Sequence, residues 1–158
     1  MTVAAYGIGG TTADQYANQY PTAIPDTLAL HPEARWAWLS MGGNDLFANY
    51  VSGNGANNGA LYNTNFRTVL DQVAGAGPDL RVVSFGYDFV NFEQSTECIA
   101  QAWYYFGTGT LTPTINGYFL ADIRDVLSGI DPDYFRYTHV GTLWGTLQAA
   151  GGLASAPD

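Results

Sequence analysis

Residues 35–46 read RWAWLSMGGNDL, an apolar run that stops at Gly42-Gly43 before Asn44 and Asp45. A short apolar segment bounded by glycines is typical of a buried strand. Glycines at the end of a strand let the backbone turn sharply and approach a ligand closely, because they carry no Cβ atom. We therefore predict a strand over the first seven residues, with an amide and a carboxylate side chain presented at its carboxyl end.

Apolar and amphipathic segments alternate along the rest of the chain. Further strands are predicted over 2–8, 80–87 and 134–140, helices over 12–20, 24–31, 63–75 and 114–128, a helical or irregular segment over 96–106, and a Gly/Asn loop over 51–60. Strands separated by helices indicate parallel βαβ units with right-handed crossovers. The expected fold is a single domain, 1–158, built as a three-layer α/β/α sandwich around a mainly parallel sheet.

The composition excludes several classes of function. The 158 residues carry 14 acidic and five basic side chains, a net charge of -9, and every basic residue is an arginine. Without lysine the chain has no P-loop and no Schiff-base chemistry. Scattered arginines on an acidic chain argue against a nucleic-acid partner. One cysteine, Cys98, makes neither an internal disulfide nor a thiolate metal site.

The sequence also lacks an apolar run of the roughly 18 residues that a membrane span requires. Its first residues show no basic segment of the kind that opens a signal peptide. We predict no membrane span, no nucleic-acid partner, and neither a cofactor nor a metal.

Two strand ends carry candidate functional residues. The stretch YGIGGTTAD, 6–14, is a glycine-rich turn that enters a helix, and Gly10 is placed to offer its N–H to an anionic atom. Carboxyl ends of parallel strands form the ligand-binding edge of such sheets, where this turn is expected to meet Asn44. The neutral amide of Asn44 suits an oxygen that becomes negative during a reaction. Asp45 is expected to tether the loop by accepting backbone N–H groups; an ordinary turn that satisfies its own backbone is the alternative.

Taken together, AAYGIGGTTADQ (4–15) and LSMGGNDL (39–46) resemble the second and third sequence blocks of the SGNH (GDSL-type) hydrolases. The stretches SFGYD (84–88) and HVGTL (139–143) are similar to segments between later blocks of some members. The resemblance implies a flavodoxin-like α/β fold and hydrolysis of a small-molecule ester substrate. It also implies an oxyanion hole in which Gly10 supplies a backbone N–H and Asn44 a side-chain donor, with Gly42, Gly43 and Asp45 in support.

The family's nucleophile and base are not found in their usual blocks. The resemblance calls for a Gly-Asp-Ser upstream of Gly10, where no serine occurs, and for an Asp-x-x-His near the C-terminus. Arg136 stands three residues before His139, and Leu28 three before His31, where that pattern has Asp. The nucleophile therefore stays unknown, and we expect the central portion of such a domain, truncated at both ends and inactive alone.

No serine within the chain has a sequence pattern that favours it as a replacement for the missing nucleophile. Ser40 and Ser84 lie near strand ends but lack the earlier glycine of a nucleophile elbow. The sequence spacing does not favour a triad built from Ser40, His139 and either Asp131 or Asp133. We expect each serine and His139 to be ordinary strand residues.

Two other functions remain open from the sequence. A non-catalytic SGNH-like module would bind acylated or glycosylated ligands through Gly10 and Asn44. A flavodoxin-like FMN carrier would use Thr11 and Thr12 for the phosphate and an aromatic residue, Trp38 or Tyr87, to stack on the flavin.

Overall fold

The computed structural model describes residues 4–53, 55–85, 96–106 and 112–141. The predictions for 2–3, 86–88 and 142–158, and for the Cys98 side chain, lie outside the described residues.

The described residues form an α/β fold around a small open parallel sheet. Its strands are β1 (Trp36–Leu39), β2 (Arg81–Phe85) and β3 (Tyr137–Val140), in the order β1-β2-β3. The helices are α1 (Ala23–Ala29), α2 (Gly43–Val51), α3 (Asn58–Ala76), α4 (Thr96–Phe106), α5 (Thr112–Phe119) and α6 (Asp125–Ile130). Short π-helices cover Gln15–Gln19 and Leu120–Arg124, and 3-10 turns cover Gly55–Asn57 and Asp131–Asp133. No helix within these ranges has the length and apolarity to cross a membrane.

The two faces of the sheet differ in burial. Residues at paired positions of parallel strands project to the same side. One side is buried and carries Leu39, Val82, Ser84, Tyr137 and His139. The opposite side exposes Trp36 by 64% and Trp38 by 67%.

The core lies between the buried face of the sheet, α3 and the helical segment 112–130. The helix predicted over 63–75 is confirmed, and Phe66, Val69, Leu70 and Val73, which share one helical face, are all buried. Ile115, Ile123, Leu127 and Ile130 meet them in the same core cluster. Each such side chain contributes about 1.5–3 kcal/mol by leaving water, so this contact is a main source of stability.

The strands are shorter than predicted, and one is not formed. The strand predicted over 2–8 is wrong for residues 4–8, which are exposed and have no strand pairing. The strand predicted from 134 begins only at Tyr137, because residues 134–136 form a turn closed by a Tyr137 N–H bond to the Tyr134 carbonyl.

The loop predicted over 51–60 is also partly wrong, since α3 begins inside it at Asn58. Asn58 is fully buried and bridges two elements. Its Oδ1 accepts a bond from Asn49 Nδ2 at 2.8 Å, and its Nδ2 donates to Asp122 Oδ2 at 3.3 Å. These tertiary contacts outweigh the low helix propensity of the Gly/Asn sequence.

Candidate functional site

The chain turns from β1 into α2 at Gly42. This glycine has a φ of 124°, a conformation that residues with a Cβ atom rarely adopt. A Cβ atom here would lie 2.9 Å from Ile123 Cγ2 and 3.2 Å from the Tyr62 ring. The tight exit predicted from the sequence is therefore present, but it leads directly into a helix. Gly43, Asn44 and Asp45 form the first turn of α2 and not a loop.

Asp45 connects this turn to the segment around Ala13. Its carboxylate is 2% exposed and accepts the Ala13 N–H with both oxygens, at 2.9 and 3.0 Å. Burial raises the pKa of Asp45 to about 6, while hydrogen bonds from the backbone N–H groups of Ala13 and Asp14 act in the opposite direction. The predicted tether to backbone N–H groups is thus observed, and it holds residues 8–14 against α2.

The glycine-rich segment forms a turn over residues 8–11. The Thr11 N–H donates to the Ile8 carbonyl at 3.3 Å, and Gly10 has a φ of 82°. Tyr16 packs beneath, and its hydroxyl accepts the Ile8 N–H at 3.3 Å. Within the described part of the chain the Gly10 N–H has no hydrogen-bond partner, and the residue is exposed. It is available to a ligand.

Asn44 reaches this turn from the start of α2. Its Nδ2 donates to the Thr11 carbonyl at 3.2 Å, one residue beyond Gly10. A side-chain amide carries two N–H donors, so one of them is left for a ligand, and Asn44 is exposed. The structure thus places Asn44 beside the turn that carries Gly10, with an unused donor on each.

Thr12 caps the helical segment that follows the turn. Its Oγ1 accepts the Gln15 N–H at 3.1 Å, while Gln15 Oε1 accepts the Thr12 N–H at 2.9 Å. This reciprocal pair is a capping box. Thr11 Oγ1 donates to the Ile8 carbonyl. Thr12 Oγ1 also donates to Gln15 Oε1 at 3.4 Å, so both hydroxyl groups that an FMN phosphate would require already make local hydrogen bonds.

A hydrogen-bonded cluster that the sequence did not indicate lies on the buried face of the sheet. Ser84 Oγ is 2.6 Å from the Tyr137 hydroxyl and 3.0 Å from His139 Nδ1. Asp131 Oδ2 accepts the His139 backbone N–H at 3.0 Å. Burial lowers the pKa of His139; the carboxylate of Asp131 raises it and Arg124 lowers it. The sequence signal was a polar residue within each of two mainly apolar strands, Ser84 and His139, and their contact can be recognised only once the register of β2 against β3 is known.

This cluster is closed to substrate. Ser84 is 1% exposed and His139 9%. Ser40 is exposed at the end of β1, but among the described residues neither ring nitrogen of His139 bonds to it. The triad of Ser40, His139 and Asp131 or Asp133 is therefore not assembled. As expected from the sequence, Ser84 and His139 are strand residues.

The remaining candidates lie elsewhere. His31 follows α1 and contacts Tyr6 and Glu33. Within the described residues it makes no hydrogen bond to a serine. Trp38 is exposed and packs edge-on against Phe85, with ring centroids 5.6 Å apart. Tyr87 lies outside the described residues. No three His, Cys, Asp or Glu side chains within those residues come together as a metal site requires.

Comparison with protein-family models gives no match, and comparison with curated proteins gives no relative.

Proposed function

We propose that this chain carries the oxyanion-binding part of a serine ester hydrolase of SGNH type, in a flavodoxin-like three-layer α/β domain. The Gly10 N–H and the Asn44 side chain would hold the carbonyl oxygen of a small-molecule ester as it becomes negative. The proposal rests chiefly on the hydrogen bond from Asn44 Nδ2 to the Thr11 carbonyl, which brings both groups to one turn.

The environment of the two donors supports this function. Both are exposed and each keeps an unused N–H within the described residues, so a ligand oxygen can be received without breaking a bond. Asn44 also lies in the first turn of α2, where the helix dipole favours a negative charge. Asp45 fixes the relative position of turn and helix through Ala13, and preorganised donors stabilise a developing charge most effectively.

Binding of a product anion tests the proposal directly. Butyrate has the carboxylate that ester hydrolysis releases, and calorimetry can compare its affinity for the wild type, Asn44→Ala and the isosteric Asn44→Asp. A hydrogen bond to a charged group contributes about 1.5–3 kcal/mol, so Asn44→Ala should bind at least about tenfold more weakly. Asn44→Asp should bind more weakly still, because a carboxylate repels the ligand.

The exposed Asn57 provides the control, since Asn57→Ala should leave the affinity unchanged. Equal affinities of Asn44→Ala and the wild type, or no binding by the wild type, would overturn the proposal.

The described serines do not complete a catalytic triad, and we expect no steady-state turnover that depends on them. Hydrolysis of p-nitrophenyl butyrate that disappears in Ser40→Ala would contradict this expectation and identify Ser40 as the nucleophile.

In any form of the protein that does hydrolyse esters, Asn44→Ala should lower kcat by about 10²–10³-fold, as loss of an oxyanion donor does. Steady-state kinetics provides the measurement. An unchanged kcat would remove Asn44 from the site.

A further inference from the structure

A hydroxyl, an imidazole and a carboxylate are joined in series near the start of the described chain. The Tyr6 hydroxyl lies 2.6 Å from His31 Nε2, and His31 Nδ1 lies 3.3 Å from Glu33 Oε1. The two rings are tilted by 55° with centroids 5.2 Å apart. The order of groups, with the carboxylate on one ring nitrogen and the hydroxyl on the other, is that of an activated nucleophile.

The carboxylate determines which ring nitrogen carries the proton. Hydrogen bonds from its own backbone N–H and from His31 lower the pKa of Glu33, so it is ionised at neutral pH and can only accept. In the neutral ring the proton therefore lies on Nδ1, facing Glu33, and Nε2 is the acceptor. The Tyr6 O–H consequently donates to His31, the direction that general-base activation needs.

The three side chains are open to solvent. Tyr6 is 49% exposed, and the side chains of His31 and Glu33 are 29% and 75% exposed. This accessibility distinguishes the group from Ser84 and His139, which form a similar hydroxyl–imidazole contact but are buried.

We propose that Tyr6, His31 and Glu33 form a nucleophilic relay in which the Tyr6 phenol is acylated by activated esters such as aryl esters. The Tyr6 oxygen forms a bond to the acyl carbon while its proton passes to His31 Nε2. The bond from the acyl carbon to the aryl oxygen breaks, and the aryloxide leaves with that electron pair. The proton on Nε2 then neutralises the aryloxide, which leaves O-acyl-Tyr6 and a free phenol. Glu33 stabilises the transient imidazolium.

The test is acetylation of the full chain by p-nitrophenyl acetate, followed by mass spectrometry of its peptides. Tyr20 is the internal control, because it is 43% exposed and its hydroxyl makes no hydrogen bond within the described residues. General-base assistance in a complete active site contributes 10²–10⁴-fold, and for this exposed relay we expect Tyr6 to react about tenfold faster than Tyr20.

Three variants assign the effect. Tyr6→Phe should abolish the fast label, His31→Gln should reduce labelling of Tyr6 to the rate of Tyr20, and Glu33→Gln should give an intermediate rate. Circular dichroism checks that each variant is folded. The label is stoichiometric and independent of Asn44, so its outcome is separate from that of the oxyanion proposal.

Equal labelling of Tyr6 and Tyr20 would overturn the relay. So would fast labelling of Tyr6 that persists in His31→Gln, or an acetyl group found on His31 with Tyr6 unmodified.

Discussion

At the scale of single residues, Gly42 combines two constraints that no other residue type satisfies. Its φ of 124° is strained for any side chain, and a Cβ atom would lie 2.9 Å from Ile123 Cγ2. Strain and overpacking each cost about 1–3 kcal/mol. We expect Gly42→Ala to lower the free energy of unfolding by about 3 kcal/mol in urea denaturation.

Gly75 is the matched control for this substitution. It lies within α3 with nothing near its missing Cβ atom, so Gly75→Ala should raise the stability by up to about 1 kcal/mol. A Gly42→Ala protein as stable as the wild type would contradict the described strand exit.

Asp45 is expected to make stability depend on pH. Its folded pKa of about 6 lies above the ordinary value of 3.8, because burial penalises the charged form. A raised acid pKa means that the folded state resists ionisation, so its relative stability falls as the pH rises from about 4 to 6. A shift of about two units corresponds to about 3 kcal/mol.

Asp45→Asn cannot ionise and should lack this decline. Urea denaturation at pH 4 and pH 7 gives the free energy of unfolding of both proteins. The value for the wild type, relative to that for the variant, should fall by up to about 3 kcal/mol from pH 4 to pH 7. Parallel pH profiles would show that Asp45 keeps an ordinary carboxyl pKa in the folded protein.

The sequence placed Asn44 beside the turn of Gly10 by means of a strand over 2–8, which is wrong for residues 4–8. The contact between Asn44 and this turn is nevertheless present, because Asp45 binds the Ala13 N–H and Asn44 binds the Thr11 carbonyl. The contact between Ser84 and His139 was not predicted, because it depends on the register of β2 against β3, which no local pattern specifies.

At the scale of elements, periodic segments were predicted well and their ends were not. The helix predicted over 63–75 lies within α3, and its buried residues recur on one face at the period of 3.6 residues. The start of α3 was missed because a buried side chain, Asn58, and not helix propensity, determines it.

The role of Asn58 can be measured. Asn58→Ala leaves the partly buried Asn49 amide and Asp122 carboxylate without this partner, at a cost of about 1–3 kcal/mol. Asn57→Ala, one residue earlier and exposed, should change the free energy of unfolding by less than about 0.5 kcal/mol. Similar free energies of unfolding for the two variants would show that the hydrogen bonds of Asn58 do not stabilise the start of α3.

The segment over 4–8 is the opposite case, in which an element was predicted and is not formed. Its apolar residues favoured a strand, yet a strand requires a neighbour to receive its backbone hydrogen bonds, and none of the described strands pairs with it. Tyr6 instead bonds to His31, a side-chain contact that the strand pattern does not encode.

At the scale of the whole molecule, alternation of strands and helices predicted the parallel sheet and its α/β class. The described sheet has three strands in chain order, with one face buried and Trp36 and Trp38 exposed on the other. The three-layer arrangement stays a prediction, because the pattern of each strand reports its own burial and not what covers the face that carries Trp36 and Trp38.

The most direct test of the central claim is whether Gly10 and Asn44 bind the same anion. In a ¹⁵N-labelled protein, titration with butyrate should shift the Gly10 backbone amide and the Asn44 side-chain amide along a common binding curve. The Asn57 side-chain amide, which is exposed and far from the turn in sequence, should not move. Shifts of Gly10 and Asn44 that follow different curves, or no shift of either signal, would contradict a shared oxyanion site.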